Sequence, residues 1–254
     1  MSLRLHWLAA DPRAPFPPPE QALRDPDGLL AAGGDLHPLR LLNAYRQGIF
    51  PWFNDDQPIL WWSPDPRTVF RTDGVHLARR FRRSLRSSGW VVRADIAFAR
   101  VVDACATQPR PGQDGTWITD DMRAAYLGLH RLGHAHSVEV YDGDSPGAAL
   151  VGGLYGVAIG RMFFGESMVS LASGGSKTAL AALAYRLRQW GWPLIDAQVD
   201  NPHLFRMGAI SLPRQDFLAA IAPLTVETPA HAPGRPGPWT TDFGIVDAGA
   251  LAEA

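Results

Sequence analysis

The spacing of hydrophobic residues predicts helices and strands in alternation over most of the chain. Residues 176–190 give the clearest helix, because leucines and alanines recur every three to four positions on one face and Gly191 follows them. The same period, with capping residues or glycines at the ends, predicts further helices at residues 37–48, 76–88, 95–105, 119–133, 201–207 and 214–221.

Strands are predicted where apolar residues alternate with polar ones or form short continuous runs. Such segments lie at residues 90–94, 136–141, 148–159, 161–164, 193–199 and 209–212. The strands between residues 136 and 164 are joined by short turns, which indicates a meander. The combination predicts an α+β chain.

The distribution of proline divides the chain into regions of different texture. The first 66 residues contain eleven prolines, and regular alternation begins at about Arg67. We therefore interpret residues 1–66 as a small N-terminal domain and residues 67–225 as a larger domain. Residues 226–254 are rich in proline and glycine and are interpreted as an extended C-terminal tail.

Composition narrows the cellular setting. The chain has 254 residues, 46% of them hydrophobic, and a single cysteine, Cys105, which excludes a disulfide framework and indicates a reducing compartment. The longest nearly apolar run, residues 148–160, is shorter than the ~18 to 20 residues of a membrane span. The first twenty residues lack the apolar core of a secretory signal. These features predict a cytoplasmic protein without membrane contact.

Charge is concentrated in one segment, although the net charge is only −1. Between Arg71 and Arg93 there are seven arginines and one acid, Asp73, a local net charge of +6. Like charges this close repel one another unless an anion, acids or solvent offset them. We interpret this helix as a surface for a phosphate backbone, with a plain solvated face as the alternative. Its five arginines are Arg79, Arg80, Arg82, Arg83 and Arg86.

Two polar positions next to apolar strands are candidates for a site. Glu166 follows a strand and Gly165, where a carboxylate is well placed to hold an amine, and an ordinary exposed turn is the alternative. Asp196 and Gln198 lie two apart in an apolar strand, so both are predicted on one face. Buried polar groups need partners, so these two form either a structural hydrogen-bond network or a site.

Several other chemistries are disfavoured. Val169 stands where a nucleophile elbow needs glycine, and Ser176 stands where a phosphate-binding loop needs glycine before Lys177, so a serine hydrolase and an ATPase are disfavoured. Ser176 is interpreted as a helix N-cap. His134 and His136 have no second cluster to complete a metal site, so no metal is predicted.

A set of motifs in fixed order resembles one known family. The segments are GGDL at 33–36, YRQGIFPWF at 45–53, PILWWSPDPR at 58–67, GTWIT at 115–119, GHAHSVEV at 133–140, FGESM at 164–168, SKTAL at 176–180 and LIDAQV at 194–199. Together they resemble the bacterial leucyl/phenylalanyl-tRNA-protein transferases over about residues 14–225, and motifs as long as the second and third are highly specific.

The resemblance implies an enzyme whose larger domain has an acyl-CoA N-acyltransferase (GNAT)-like fold, with a mixed sheet flanked by helices. Its implied activity moves Leu or Phe, and less readily Met, from aminoacyl-tRNA to proteins that begin with Arg or Lys, which creates an N-degron. No cofactor and no acyl-CoA are implied, in agreement with the absence of an R/Q-x-x-G-x-G/A pyrophosphate loop from the sequence.

The resemblance also implies roles for particular residues. Asp196 would orient and polarise Gln198 toward the attacking amine, with the proton acceptor left open between the two, and Glu166 would hold the donor's α-amino group. Trp117, with Trp52 nearby, would stack the terminal adenine. The arginines Arg79, Arg80, Arg82 and Arg83 would hold acceptor-stem phosphates. An apolar pocket for the donor side chain is implied at Leu154, Phe163, Met168, Leu180 and Ile195.

Two alternatives stay open at this point. A peptidoglycan-type aminoacyltransferase of the same fold also uses charged tRNA but adds residues to a cell-wall precursor. A non-catalytic protein that binds tRNA ends would need the basic helix and the tryptophans but no proton acceptor.

Overall fold

A computed structural model describes residues 5–108, 117–226 and 235–253. Its helices are α1 (Pro38–Arg46), α2 (Arg79–Arg86), α3 (Phe98–Thr107), α4 (Asp120–Arg131), α5 (Gly175–Gln189), α6 (Pro202–Arg206), α7 (Arg214–Ile221) and α8 (Thr240–Phe243), with 3-10 turns at Pro19–Gln21 and Ala248–Ala252. Its strands are β1 (His6–Leu8), β2 (Leu29–Gly33), β3 (Phe50–Pro51), β4 (Leu60–Trp62), β5 (Arg67–Arg71), β6 (Val91–Ala94), β7 (Ala135–Tyr141), β8 (Leu150–Ile159), β9 (Met162–Ser170), β10 (Leu194–Gln198), β11 (Ile210–Leu212) and β12 (Val246–Asp247).

The main sheet has eight strands in the order β11-β5-β10-β9-β8-β7-β6-β12. All neighbours are antiparallel except β9 and β10, which run parallel. The predicted meander is confirmed as β7-β8-β9, and the prediction of a mixed sheet with helices is confirmed. The parallel junction at β9 and β10 is the feature that positions the site described below.

Helix α5 is the crossover that makes the parallel junction possible, because parallel neighbours need a connection that returns to the same edge. Its buried residues pack on β7, β8 and β9. The helix approaches β8 closely where glycine faces glycine: a Cβ on Gly152 would lie 2.5 Å from the Cα of Gly175. This contact holds the start of α5 beside the sheet.

Apolar residues cover both faces of the main sheet. On one face, α3, α4 and α7 pack with residues of the first four strands, as in the shared cluster of Tyr45, Trp61, Phe98, Tyr126 and Phe217. On the other face, α2, α5 and the C-terminal residues form a second cluster that includes Leu85, Leu183 and Trp239. The first four strands form their own sheet, in the order β1-β2-β4-β3.

Three local expectations differ from the structure. The strand predicted at 161–164 continues to Ser170, so Glu166 lies within β9 instead of in a turn after it. Ser176 is not the N-cap of α5; that position is Gly174, and Ser176 exchanges hydrogen bonds with Ser170. Residues 235–253 do not form an extended tail, because α8 and β12 pack back on the main sheet. Residues 109–116, and residues 227–234 of the predicted tail, lie outside the described residues.

No helix among the described residues is both long enough and apolar enough to cross a membrane.

Candidate active site

The candidate polar residues lie on β9 and β10, at the point where these two parallel strands stop pairing. β9 and β10 pair only as far as Phe164 and Asp196. Glu166 and Gln198 each lie two residues further along, and Gln198 Nε2 donates a hydrogen bond of 2.8 Å to Glu166 Oε1. Beyond the last paired residues the gap between the strands opens into a cavity.

This inner cavity has a volume of about 120 Å³ and a mostly apolar wall. An apolar cavity of ~150 Å³ takes up benzene, so a cavity of this size suits one branched aliphatic or aromatic side chain. Glu166, Asp196 and Gln198 also lie on its wall. The structure brings together there all five residues expected to form a pocket for the donor side chain: Leu154, Phe163, Met168, Leu180 and Ile195.

Glu166 is buried and is held by two tyrosine hydroxyls. Tyr45 donates to Oε1 at 2.8 Å, Tyr126 donates to Oε2, and the two hydroxyl oxygens lie 2.7 Å apart. Burial raises the pKa of Glu166 to about 7, although its hydrogen bonds from the tyrosines and Gln198 favour the ionised form. A carboxylate has about four acceptor positions and three are used, so one position on Oε2 has no donor among the described residues.

The two tyrosines remain hydroxyl donors over the whole physiological range. Both are fully buried, and burial together with the charge of Glu166 raises the pKa of Tyr45 and of Tyr126 well above the ordinary value. Their hydroxyls therefore fix the orientation of the carboxylate without competing with it for a proton.

Asp196 is fully buried and forms a two-pronged ion pair with Arg67. Arg67 Nε lies 2.8 Å from Oδ1 and Nη2 lies 2.6 Å from Oδ2. Arg67 also donates to the carbonyl of Gly48 at 3.0 Å, and its guanidinium lies 4.7 Å from the ring centroids of both Phe50 and Phe217. The two parallel hydrogen bonds fix the orientation of both side chains. Removing either partner would destabilise the protein, because the other would remain as an uncompensated buried charge.

Asp196 reaches Gln198 through the backbone. Its Oδ1 accepts a hydrogen bond of 2.9 Å from the backbone N–H of Gln198, whereas the side-chain amide nitrogen bonds to Glu166. The pairing register with β5 shifts between these two residues, and Gln198 has φ of 63°, a left-handed conformation uncommon for residues other than glycine. Asp196 therefore holds Gln198 by its backbone N–H, and the bulge replaces the simple alternation that the sequence predicted.

A second, outer cavity of about 340 Å³ adjoins the first. The two cavities share Glu166, Met168, Gln198 and Leu204, and the outer one is lined in addition by Trp52 and Trp117. Trp52 is 38% exposed. The two tryptophans expected to stack an adenine thus lie where the inner cavity opens to solvent.

The basic helix α2 presents most of its arginines to solvent. Arg79, Arg80 and Arg83 are exposed and Arg82 is half-buried, and none of the four forms an ion pair with another described residue. Arg86 differs, because its Nε lies 2.7 Å from Glu253. Four cations without acidic partners leave this face available to an anion.

Sequence reasoning missed Arg67, Tyr45 and Tyr126 as parts of the site. Arg67 could have been sought as a partner, because a carboxylate in an apolar strand requires a cation or several donors. The tyrosines stand in apolar helix stripes, a position that predicts packing alone, although a buried tyrosine hydroxyl usually needs a hydrogen-bond partner.

His136, the histidine on β7, packs within the structural core. His136 Nδ1 lies 2.8 Å from Asp95, and its ring stacks on Trp239 with centroids 4.0 Å apart. Among residues 5–108, 117–226 and 235–253, no three histidine, cysteine, aspartate or glutamate side chains are arranged to hold a metal ion.

Comparison with known proteins identifies the family. Residues 69–222 match the family described as Leucyl/phenylalanyl-tRNA protein transferase, and residues 34–65 match its N-terminal domain. The chain is 66% identical over 247 residues to the Leucyl/phenylalanyl-tRNA--protein transferase of Xanthomonas campestris pv. campestris, covering 97% of this chain and 96% of the relative. The protein of the same name from Xylella fastidiosa is 62% identical over 239 residues, with 94% and 95% covered. The chain belongs to the leucyl/phenylalanyl-tRNA protein transferase family, a family of aminoacyltransferases.

Among solved structures, FemX resembles the chain with a TM-score of 0.41 at 12% identity, covering 73% of this chain and 71% of that one. L-PGS from Bacillus licheniformis resembles it with a TM-score of 0.37 at 9% identity, covering 68% and 53%.

Proposed function

We propose that this chain transfers Leu or Phe, and less readily Met, from aminoacyl-tRNA to the amino terminus of proteins that begin with Arg or Lys. The transfer would mark those proteins for degradation as N-degron substrates. The observation that carries the proposal is the inner cavity. This chain, a member of the transferase family, has an apolar cavity sized for one side chain, and the carboxylate of Glu166 and the amide of Gln198 lie on its wall.

In the proposed complex the donor side chain occupies the inner cavity and its α-amino group binds the free acceptor position of Glu166. The ester then lies toward the outer cavity, where the terminal adenosine stacks on Trp117 beside Trp52. A cavity of about 120 Å³ accepts Leu, Phe and Met and disfavours charged side chains, which would lose hydration there. Donor selection therefore rests on this pocket and on the captured amine.

The reaction is aminolysis of an ester. The acceptor's α-amine attacks the ester carbonyl carbon, a C–N bond forms, and the C–O bond to the ribose breaks after a tetrahedral intermediate. The nitrogen loses one proton and the leaving ribose oxygen gains one. A free α-amine has pKa ~7.7 to 8.0, so part of it is already nucleophilic at neutral pH, and positioning supplies much of the remaining catalysis.

The contacts of Asp196 favour a positioning role over direct proton transfer. Both of its oxygens are engaged by Arg67 and by the Gln198 backbone, and the residue has no exposed surface. Gln198 has its amide nitrogen fixed on Glu166, while its carbonyl oxygen forms no hydrogen bond with another described residue. We assign that oxygen to hydrogen-bond the attacking amine. A neutral amide is a weak base, so the proton passes on to water or to the leaving oxygen.

The remaining parts of the proposal follow from the family. The tRNA phosphates bind the exposed arginines of α2, which read no base sequence. The larger domain is assigned a GNAT-like fold, in keeping with its mixed sheet, in which β9 and β10 diverge. No cofactor or metal is required by the chemistry, and the place of action is proposed to be the cytoplasm.

The direct test incubates the protein with tRNA charged with radiolabelled Phe and a peptide that begins with Arg. We expect label in the peptide, and none in a matched peptide that begins with Glu. Label in a lipid-linked cell-wall precursor instead would support the peptidoglycan-type alternative. Retention of tRNA without any transfer would support a binding protein.

A further inference from the structure

A second group of basic residues lies between the basic helix and the cavity mouth. Lys177, the only lysine of the chain, stands in the first turn of α5, and His203 and Arg206 stand on α6. The site described above uses none of these three side chains. They come from two elements that flank the inner cavity, since Leu180 of α5 and Leu204 of α6 both line it.

These residues connect structurally to the basic helix on one side. Lys177 Nζ lies 5.8 Å from the ring centroid of Phe81, which stands in α2 between Arg80 and Arg82. Phe81 also packs against the N-cap of α5, because a Cβ on Gly174 would lie 2.3 Å from its ring. The arginine face of α2 and the first turn of α5 are therefore adjacent.

They connect to the cavity mouth on the other side. Leu204 lies between His203 and Arg206 in sequence and contacts both the inner and the outer cavity. Asn201, which caps α6, lines the outer cavity with Trp52 and Trp117. The two cations and His203 thus stand beside the opening that leads to the ester position.

The three basic residues lack acidic partners among the described residues. None of the three forms an ion pair with a described residue. Asp200, which is near them in sequence, is exposed and likewise forms no ion pair with a described residue. Burial lowers the pKa of His203, and the charges of Lys177 and Arg206 lower it further, so its imidazole is neutral at neutral pH and joins the two cations as an N–H donor. Like charges gathered without acids are costly unless an anion joins them.

The neighbouring surface suits nucleobases. Phe205 and Val199 are each 39% exposed, next to the cations along the chain. Cationic side chains beside exposed apolar and aromatic ones form the combination that binds single-stranded nucleic acid, with phosphates on the cations and bases on the apolar faces.

We propose that Lys177, His203 and Arg206 bind phosphates of the single-stranded 3′ end of the tRNA, between the acceptor stem on α2 and the terminal adenosine at Trp52 and Trp117. This inference rests on the proposed function and extends it with a third contact zone. It accounts for how a tRNA held at α2 delivers its end to a cavity on the other side of the start of α5.

The test compares three donors that contain progressively less of the tRNA: Phe-tRNA, the trinucleotide CCA carrying Phe on its 3′ end, and 3′-O-phenylalanyl adenosine, which has no phosphate. The variant is Lys177→Gln with Arg206→Gln. Its matched control is Arg131→Gln, which removes a charge from the exposed face of α4. We expect the double variant to raise KM about tenfold for Phe-tRNA and Phe-CCA, because phosphates are bound less well, and to leave KM for phenylalanyl adenosine unchanged.

Variants of α2 separate the two contact zones. Arg80→Glu with Arg83→Glu is expected to raise KM for Phe-tRNA alone, because Phe-CCA has no acceptor stem. An unchanged KM for Phe-CCA in the Lys177 and Arg206 variant would overturn the inference. An equal rise for phenylalanyl adenosine would also overturn it, because that donor has no phosphate to lose.

A binding measurement keeps this inference separate from the proposed activity. Fluorescently labelled CCA trinucleotide is titrated with the unmodified protein and with the double variant. Weaker binding by the double variant supports the inference even if no transfer to peptide is found, in which case the proposed function fails alone. Equal binding by both proteins contradicts the inference whatever the transfer assay shows.

Discussion

Some residues of the site face the cavities, and others hold those residues in place. Glu166 and Gln198 have atoms available toward the cavities, while Tyr45, Tyr126 and the Arg67–Asp196 pair use their polar atoms within the protein. Fixing a carboxylate and an amide in advance reduces the reorganisation needed when the substrate arrives. The left-handed backbone conformation of Gln198 also contributes to this arrangement. Such a conformation is strained for residues other than glycine and persists only where the surrounding structure imposes it.

The ionisation of Glu166 gives the first prediction. Because its pKa is about 7, the carboxyl is largely neutral at pH 6 and ionised at pH 8, and only the ionised form attracts the donor's ammonium group. The affinity for an amide-linked analogue of phenylalanyl adenosine should therefore rise with pH through about 7 and fall again above ~7.7 to 8.0, as the analogue's own amine loses its proton. Isothermal titration calorimetry at a series of pH values from roughly 5.5 to 9 measures how this affinity depends on pH.

Two controls isolate the carboxylate. Glu166→Gln should bind the analogue more weakly and show no rise near pH 7. An Nα-acetylated analogue should bind the unmodified protein without the same pH dependence, because it has no charge to pair. A rise that persists unchanged in the Gln variant would assign the titration to another group.

The Arg67–Asp196 pair gives a prediction that separates folding from positioning. Asp196→Asn leaves a buried guanidinium without its counter-charge and should lower the free energy of unfolding by ~3 to 5 kcal/mol. Replacing both residues, as Arg67→Met with Asp196→Leu, should recover most of that stability, because an apolar pair of similar size often substitutes well. Transfer should stay low in the double variant, because the Gln198 backbone has lost its acceptor. Urea unfolding and single-turnover transfer measure the two effects, and recovered transfer in the double variant would show that the pair is structural only.

At the level of elements, the sequence predicted which segments are helices and strands better than it predicted how strands end. The amphipathic period placed α5, the alternation placed β7, and the apolar run placed β8, because each of these patterns arises within one segment. β9 runs six residues beyond its predicted end, and β10 contains a bulge. Both features depend on pairing with neighbouring strands, which a local pattern does not encode.

Charge reversal on helix α2 tests whether its exposed arginines bind tRNA phosphates. Reversing Arg80 and Arg83 to Glu should raise KM for Phe-tRNA and reduce the slope of log affinity against log salt by about 2, one for each phosphate that the variant no longer binds. The double reversal Arg80→Glu and Arg83→Glu is measured between 50 and 200 mM salt, roughly the range where such interactions weaken by orders of magnitude.

The matched control for this prediction is Arg131→Glu, an equal charge reversal on another exposed helix face. It should change neither KM nor the salt slope. Identical salt slopes for the α2 variant and the unmodified protein would reduce α2 to a solvated face.

At the scale of the whole molecule, the site joins parts that are far apart in the chain. Arg67 and Asp196 are 129 positions apart, and Tyr45 and Glu166 are 121 apart. The polar residues of β9 and β10 could be singled out from the sequence because they interrupt apolar strands. Their partners could not, because these hydrogen bonds form only when the two sheets and their helices pack together. The five apolar residues that the resemblance assigns to a pocket line one cavity in the structure, whereas spacing alone gave only their periodicity.

The C-terminal residues show the same dependence on distant parts of the chain. Trp239 is 1% exposed, its backbone N–H donates to Asp95 at 2.7 Å, and its ring stacks on His136 and packs near Trp190 and Trp192. Composition indicated a tail here because proline and glycine dominate locally. A few large apolar side chains are nevertheless enough to anchor such a segment to a sheet.

Trp239→Ala should therefore destabilise the protein while leaving the chemistry intact. Removing a fully buried tryptophan costs ~3 to 5 kcal/mol, and here the substitution also removes the ring that stacks on His136. Ile245→Ala, at a neighbouring position that is 55% exposed, should change stability by no more than ~0.5 kcal/mol. The ring of Trp239 lies 5.8 Å from that of Phe163 on the wall of the inner cavity, whereas the polar residues Glu166, Asp196 and Gln198 lie on β9 and β10. We therefore expect kcat for transfer at 25 °C to match the unmodified protein wherever the variant is folded, and any loss to appear in KM for Phe-tRNA. Urea unfolding gives the first quantity and peptide labelling the second. A large loss of kcat in folded Trp239→Ala would mean that the packing behind Phe163 also positions the polar residues of β9 and β10.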